Sequence, residues 1–136
     1  MSAADLVTAR LQTEEGFRAF PYRDTAGHLT VGYGYNLDAG ISKAAAAALL
    51  SVQVQEVVAQ LQAYPWFASL DDVRKSVVVD IAFNQGVNGL LHYPHMISAL
   101  ATGNWAEAAQ QCSVANPALD ASRYAPLRAL LLKGAT

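Results

Sequence analysis

The chain has 136 residues and a net charge of −2; 53% of its residues are hydrophobic and 15% are charged. These values are typical of one globular domain and exclude an intrinsically disordered chain. They provide no strong positive field, so we do not expect nucleic acid among the partners.

The N-terminal third predicts a helix followed by a small β-hairpin. Ser2 is suited to cap a helix with apolar residues at helical spacing, and Gly16 is suited to end it. Residues 17–37 are rich in aromatic and β-branched residues, with an Asp-Thr-Ala-Gly turn at 24–27. We therefore expect an antiparallel hairpin lobe at 17–37.

The remainder of the chain is patterned for helices. A long connecting helix is expected at 42–62, before Pro65 breaks the chain. The helical lobe is expected at 70–134, beginning with an apolar central helix that ends at Gly86. Further helices are expected at 94–101, 104–112 and 122–133. The prediction is a single α+β domain over 1–136, mainly α-helical, with a small N-terminal hairpin lobe.

Cysteine content and apolar run lengths bear on where the protein is made. Cys112 is the single cysteine and forms no internal disulfide, so synthesis in a reducing host cytoplasm is expected. The first residues lack the basic start and apolar run of a signal peptide. No stretch approaches the roughly 18 apolar residues that span a membrane, so we expect no stable membrane insertion.

Three polar residues near the N-terminus are placed for chemistry. Glu15 lies at the expected helix end, Asp24 at the hairpin turn and Thr30 on the returning strand. A helix end and a facing hairpin can hold two carboxylates across one groove, which is the arrangement that glycoside hydrolysis needs. From spacing alone the alternative stays open that Glu15 is a surface residue and that Asp24 only caps its turn.

The segment EEGFRAFPYRDTAGHLTVGYG resembles the N-terminal signature of T-even-type phage lysozymes and endolysins, glycoside hydrolase family 24. It has a Glu-Gly, an Asp nine residues after the Glu, a Thr six residues after the Asp, and then a Gly-x-Gly. SLDDVRKSVVVDIAFNQG resembles the family's central helix, NWAEAA a later helix start and SRYAPLRALLLKG the C-terminal segment. Tyr35 departs from the histidine that the family often has after the second glycine.

The resemblance implies a lysozyme-like fold and hydrolysis of the β-1,4 bond between N-acetylmuramic acid and N-acetylglucosamine, with inversion. Glu15 would be the general acid, its pKa raised by partial burial. Asp24 would be the ionised partner that activates or positions water, and Thr30 would hold that water. Arg123 would lie beside the acid and fix its carboxyl.

Substrate contacts are expected from both parts of the chain. The resemblance places Phe83 and Asn84 at the end of the central helix that faces sugar or peptide, and it adds Arg123. Tyr33 and Tyr35 are expected to share one face by strand alternation and to contact the glycan.

The expected partner is peptidoglycan, without a cofactor or metal. His92-x-x-His95 lacks a third metal ligand, and Gly32-Tyr33-Gly34 lacks the third glycine of a dinucleotide loop. We expect a monomer that acts on the cell wall or periplasm after release, which the resemblance links to a phage-encoded pore protein. Two alternatives stay open: a catalytically idle peptidoglycan-binding or virion-structural module, and a lytic transglycosylase.

Overall fold

The computed structural model describes residues 1–135. The chain divides into two compact units, Met1–Ala48 and Leu49–Thr136, which are described separately below. It is 68% helical with a small three-stranded antiparallel sheet, so the predicted α+β, mainly helical fold is confirmed. That residues 1–136 form a single catalytic domain stays a prediction.

The first unit begins with the expected helix, α1 (Ala3–Glu15). Its cap is reciprocal, because the Ser2 hydroxyl oxygen accepts from the Asp5 backbone N–H while the Asp5 carboxylate accepts from the Ser2 backbone N–H. The helix ends at Gly16, whose φ of 70° suits glycine best. Glu15 is therefore the last helical residue, as predicted.

The expected hairpin is part of a sheet with one more strand. Strands β1 (Arg18–Arg23), β2 (Leu29–Gly32) and β3 (Tyr35–Asn36) pair antiparallel in that order. The chain turns at Tyr33 and Gly34 between β2 and β3, so Tyr33 and Tyr35 do not lie on one continuous strand. The strand alternation that was expected to place both tyrosines on one face does not apply.

Helix α2 (Lys43–Leu61) follows a short 3₁₀ turn at Leu37–Ala39 and is capped by Ser42, whose hydroxyl accepts from the Ala45 backbone N–H. By length and composition it is apolar enough to cross a membrane, with a mean hydropathy of 1.3 over its best window. The expectation that no stretch approaches this length missed the helix, because serine, glutamine and Glu56 interrupt the apolar run while the mean hydropathy averages over them. One such helix is weak evidence for a membrane span.

The second unit holds the hydrophobic core. It contains the C-terminal part of α2 and six further α-helices, within the part of the chain that the structure describes. These are α3 (Pro65–Ala68), α4 (Asp72–Leu91), α5 (Pro94–Thr102), α6 (Trp105–Gln111), α7 (Pro117–Leu119) and α8 (Ala125–Lys133), with a π-helical turn at Asp120–Tyr124 before α8. Large buried side chains such as Phe67, Ile81 and Tyr124 fill the core. Cys112 is buried with them, and burial raises the pKa of its thiol to about 11.

The central helix α4 has the predicted start and a modified end. The Asp71 carboxylate accepts from the Arg74 backbone N–H and so caps the helix. Gly86, the predicted end, has φ 79° and ψ 159° and breaks the helical path, but helical structure resumes to Leu91. The last predicted helix, 122–133, begins as the π-helical turn and becomes α-helical only at Ala125.

Candidate active site

Glu15 ends α1 with its carboxyl against a glycine of the hairpin exit. A Cβ atom at Gly34 would lie 2.8 Å from Glu15 Oε2, which is closer than real Cβ contacts come. Gly34 has φ +76° and belongs to the turn between β2 and β3. The residues of the first unit leave Glu15 exposed, so the partial burial that the resemblance implied is not supplied by this unit and stays a prediction.

Asp24 is held by the turn that it caps. Its Oδ1 accepts from the backbone N–H groups of Ala26 at 2.9 Å and His28 at 2.8 Å. Its Oδ2 lies 3.5 Å from the His28 Nδ1. The hydrogen bond from the His28 backbone N–H is the largest influence on the carboxyl and lowers its pKa. Asp24 is therefore ionised at neutral pH, and it does cap its turn.

Thr30 lies on β2 and is the one buried polar residue among the described residues of the first unit, with 3% of its surface exposed. Its hydroxyl donates to the His28 backbone carbonyl at 2.9 Å. Because that bond uses the only hydroxyl proton, Thr30 Oγ1 can serve any further partner only as an acceptor. The His28 peptide groups thus hold both Asp24 and Thr30, a role that the sequence does not reveal.

The two tyrosines of the hairpin exit have different surroundings. Tyr33 is half exposed, and its ring lies 5.7 Å from the Phe17 ring, centroid to centroid. The Tyr35 hydroxyl donates to the Gly40 carbonyl and so ties β3 to the loop before α2. Both rings retain exposed surface.

In the second unit, Phe83 and Asn84 lie just before the break in α4. Phe83 is exposed, while the Asn84 Oδ1 accepts from the Tyr124 hydroxyl at 2.9 Å. Gln85 Nε2 donates to that hydroxyl at 2.6 Å and to the Tyr93 hydroxyl at 2.9 Å. This network fixes the end of the central helix. Sequence reasoning missed it because its members lie up to 40 residues apart.

Arg123 is engaged by a carboxylate of its own unit. Its Nη2 lies 2.8 Å from Asp80 Oδ1, and its Nε donates to the same oxygen at 3.0 Å. Arg123, Asp80, Phe83 and Lys75 lie around a cavity of about 550 Å³ whose walls also include apolar side chains of α2. That Arg123 fixes the carboxyl of Glu15 stays a prediction.

The histidine pair has a local explanation. The His92 Nδ1 lies 2.7 Å from the Asn88 carbonyl, so one ring nitrogen already has a partner. Over residues 1–135, no three or more His, Cys, Asp or Glu side chains come together in a way that could hold a metal ion.

A family model described as phage lysozyme matches residues 12–125. The chain belongs to the phage lysozyme family. No curated protein sequence matches it. As a phage lysozyme it is a peptidoglycan-hydrolysing endolysin, a glycosidase that acts on the bacterial cell wall.

The predicted site residues of this phage lysozyme all fall within the matched range, and the two units divide them. The first unit contains Glu15, Asp24, Thr30, Tyr33 and Tyr35, and the second contains Phe83, Asn84 and Arg123. Within the first unit, the turn at His28 joins Asp24 to Thr30, and the hairpin exit lies against Glu15.

Proposed function

We propose that this endolysin is of the T-even type and hydrolyses the β-1,4 bond between N-acetylmuramic acid and N-acetylglucosamine with inversion. Glu15 is the general acid, and Asp24 and Thr30 bind the attacking water. One observation carries the proposal: the backbone N–H and C=O of the single residue His28 hold the Asp24 carboxylate and the Thr30 hydroxyl. A carboxylate and an acceptor hydroxyl fixed to one residue are suited to orient a water molecule.

These hydrogen bonds indicate where each proton goes during the reaction. The water donates one hydrogen to Asp24 and the other to Thr30 Oγ1, which is restricted to accepting. Its lone pair then attacks the anomeric carbon while Asp24 removes the proton. Glu15 donates its own proton to the leaving glycosidic oxygen, and the C–O bond breaks. The two carboxyl groups of an inverting enzyme are about 6.5–9.5 Å apart, which leaves room for the water.

We also propose that the bound substrate shields the carboxyl of Glu15 from water. A general acid works best away from bulk water, and the first unit by itself leaves this carboxyl exposed. The bound glycan would supply the missing cover by lying over the helix end. We propose that Tyr33, Tyr35, Phe83 and Asn84 contact the glycan.

The test of the acid uses two neighbouring glutamates. Glu15→Gln keeps the shape of the side chain but removes the proton that it donates, and we expect wall lysis to fall by about 10²–10⁴-fold. Glu14→Gln is the matched control, because Glu14 is an exposed residue on the same last turn of α1. The measurement is the clearing rate of outer-membrane-permeabilised cells. Equal rates for Glu15→Gln and wild type would refute the assignment and favour an idle peptidoglycan-binding module.

Asp24 needs a test that separates chemistry from turn capping. Asp24→Asn keeps an oxygen that can accept from the Ala26 and His28 N–H groups, but it removes the negative charge. We expect the melting temperature to change little while lysis falls at least about a hundredfold. Retained lysis would reduce Asp24 to a turn cap.

Several further proposals concern the setting of the reaction. We propose that the 136 residues act as one catalytic domain, that the protein is a monomer, and that Arg123 helps to fix the carboxyl of the general acid, as the resemblance implies. We also propose synthesis in the host cytoplasm and release to the wall through a phage-encoded pore. Light scattering on the purified protein tests the monomer, and a dimeric mass would contradict it.

A further inference from the structure

The glycine at the hairpin exit has a spatial relation to Glu15 that its neighbours lack. A Cβ atom at Gly34 would lie 2.8 Å from Glu15 Oε2, 3.1 Å from Cδ and 3.4 Å from Cγ. Real Cβ atoms essentially never approach another heavy atom within 3.0 Å. Any side chain at position 34 therefore pushes the carboxyl of Glu15 out of its place.

Two other glycines, Gly32 at the end of β2 and Gly27 in the turn between β1 and β2, allow this effect to be separated from backbone strain. Gly32 has φ +67° and Gly27 has φ +87°, so both adopt backbone conformations that favour glycine. A Cβ at either position would meet nothing within 4 Å. The positive φ alone thus explains why Gly27 and Gly32 are glycines, whereas position 34 must also leave room for the Glu15 carboxyl.

We infer that Gly34 is a positioning residue for the general acid: the space left by its missing side chain sets where the Glu15 carboxyl rests. This inference deepens the proposed function and rests on it. The hairpin exit then has two tasks, since it reverses the chain into β3 and aligns the acid. The obstructed atoms belong to the end of a flexible side chain, so a methyl group displaces the carboxyl more readily than it unfolds the sheet.

The expected effect of Gly34→Ala is a loss of alignment. A displacement of about 1 Å can cost a reaction about a hundredfold in rate, and we expect a loss of that size in kcat with KM unchanged. Gly32→Ala is the matched control, because it introduces the same methyl group at a similar positive φ without approaching Glu15. We expect the two variants to lose similar amounts in melting temperature, and only Gly34→Ala to lose kcat beyond that.

The test combines kinetics on soluble peptidoglycan fragments with the carbon-13 NMR signal of the Glu15 carboxyl. The chemical shift of this carbon responds to the surroundings of the carboxyl, which change when the carboxyl moves, whether or not Glu15 is the acid. Displacement of the signal in Gly34→Ala but not in Gly32→Ala, together with the selective loss of kcat, supports the inference. Equal loss of kcat in the two variants, or equal displacement of the signal, overturns it.

A second pair of variants covers the case in which alanine prevents folding. Gly34→Asn and Gly32→Asn carry the same Cβ atom, but asparagine tolerates a positive φ better than alanine does. The same comparison then decides the inference. Full activity of Glu15→Gln would refute the proposed function instead, and the NMR comparison would still decide whether Gly34 sets the position of the carboxyl.

Discussion

Arg74 provides the sharpest stability prediction, because one buried guanidinium joins the beginning of α4 to the end of α8. Its Nε donates to the Leu131 carbonyl at 2.8 Å and its Nη2 to the Leu132 carbonyl at 3.3 Å. Its Nη1 binds Asp71 Oδ2 at 2.8 Å, and the group lies 3.8 Å from the centre of the Trp105 ring. The carbonyls of a last helical turn have no partner within the helix, so Arg74 satisfies two groups that would otherwise be orphaned.

The magnitude for Arg74→Met follows from these contacts. Methionine retains most of the apolar stem but leaves Asp71 Oδ2 and both carbonyls without the guanidinium donor, while Asp71 Oδ1 keeps its bond from the backbone N–H of residue 74. Removing one partner of a buried ion pair costs about 3–5 kcal/mol, and the bonds to the carbonyls belong to the same network and do not add in full. For a chain of this length we expect the melting temperature to fall by about 10–20 °C.

Tryptophan fluorescence during guanidinium unfolding measures this loss, since both tryptophans, Trp66 and Trp105, lie in the second unit. Circular dichroism serves as a second probe because Trp105 touches the mutated residue. Lys133→Met is the matched control, as it also removes a positive charge near the end of α8, but from an exposed position. It should cost no more than about 1 kcal/mol. A loss in Arg74→Met no larger than that of the control would refute the reasoning.

Two further predictions concern the second unit. Hydrogen bonds from Arg128 lower the pKa of the Asp120 carboxyl below its ordinary 3.8. The stability that this pair contributes is therefore present above pH 3.8 and is lost as the pH falls through the lowered pKa. Across a pH series, the melting temperature of Asp120→Asn should decline less steeply in acid than that of the wild type, and an unchanged slope would contradict the pairing. Tyr124→Phe removes the hydroxyl that links Gln85 to Asn84, and we expect a denaturant titration to show a loss of about 1–3 kcal/mol in the free energy of unfolding. An unchanged free energy of unfolding would show that the buried network does not stabilise the protein.

Local backbone chemistry made much of the fold predictable. The cap at Ser2 and the turn at Asp24 each depend on a side chain within four residues of the backbone groups that it binds, and the stop at Gly16 depends on a positive φ that glycine adopts readily. Such interactions can be identified from sequence spacing alone. The helix and turn boundaries set by these residues were correct for that reason.

Sequence predictions failed where interactions between residues distant in the chain determine the local structure. The third strand exists because Asn36 pairs with Thr30 across the turn at Tyr33 and Gly34, which a local pattern does not specify. The apolar character of α2 was underestimated because polar residues, Glu56 among them, interrupt its run.

The candidate site shows the same division. The residue types and spacing of Glu15, Asp24 and Thr30 were visible in the sequence, whereas the means of holding them were not. His28 acts through its backbone N–H and C=O, which almost every residue possesses, so no side-chain pattern can indicate it. Gly34 matters because it has no side chain, and the need for that space becomes visible only when the structure places Glu15 beside it.

The stereochemistry of the first product tests the central claim most directly. Proton NMR of the newly formed reducing end, recorded before the anomers interconvert, identifies the face from which the bond was attacked. If water held by Asp24 and Thr30 attacks while Glu15 protonates the leaving oxygen, cleavage of the β bond yields the α-anomer first. Initial formation of the β-anomer, or of a 1,6-anhydro sugar, would contradict the account.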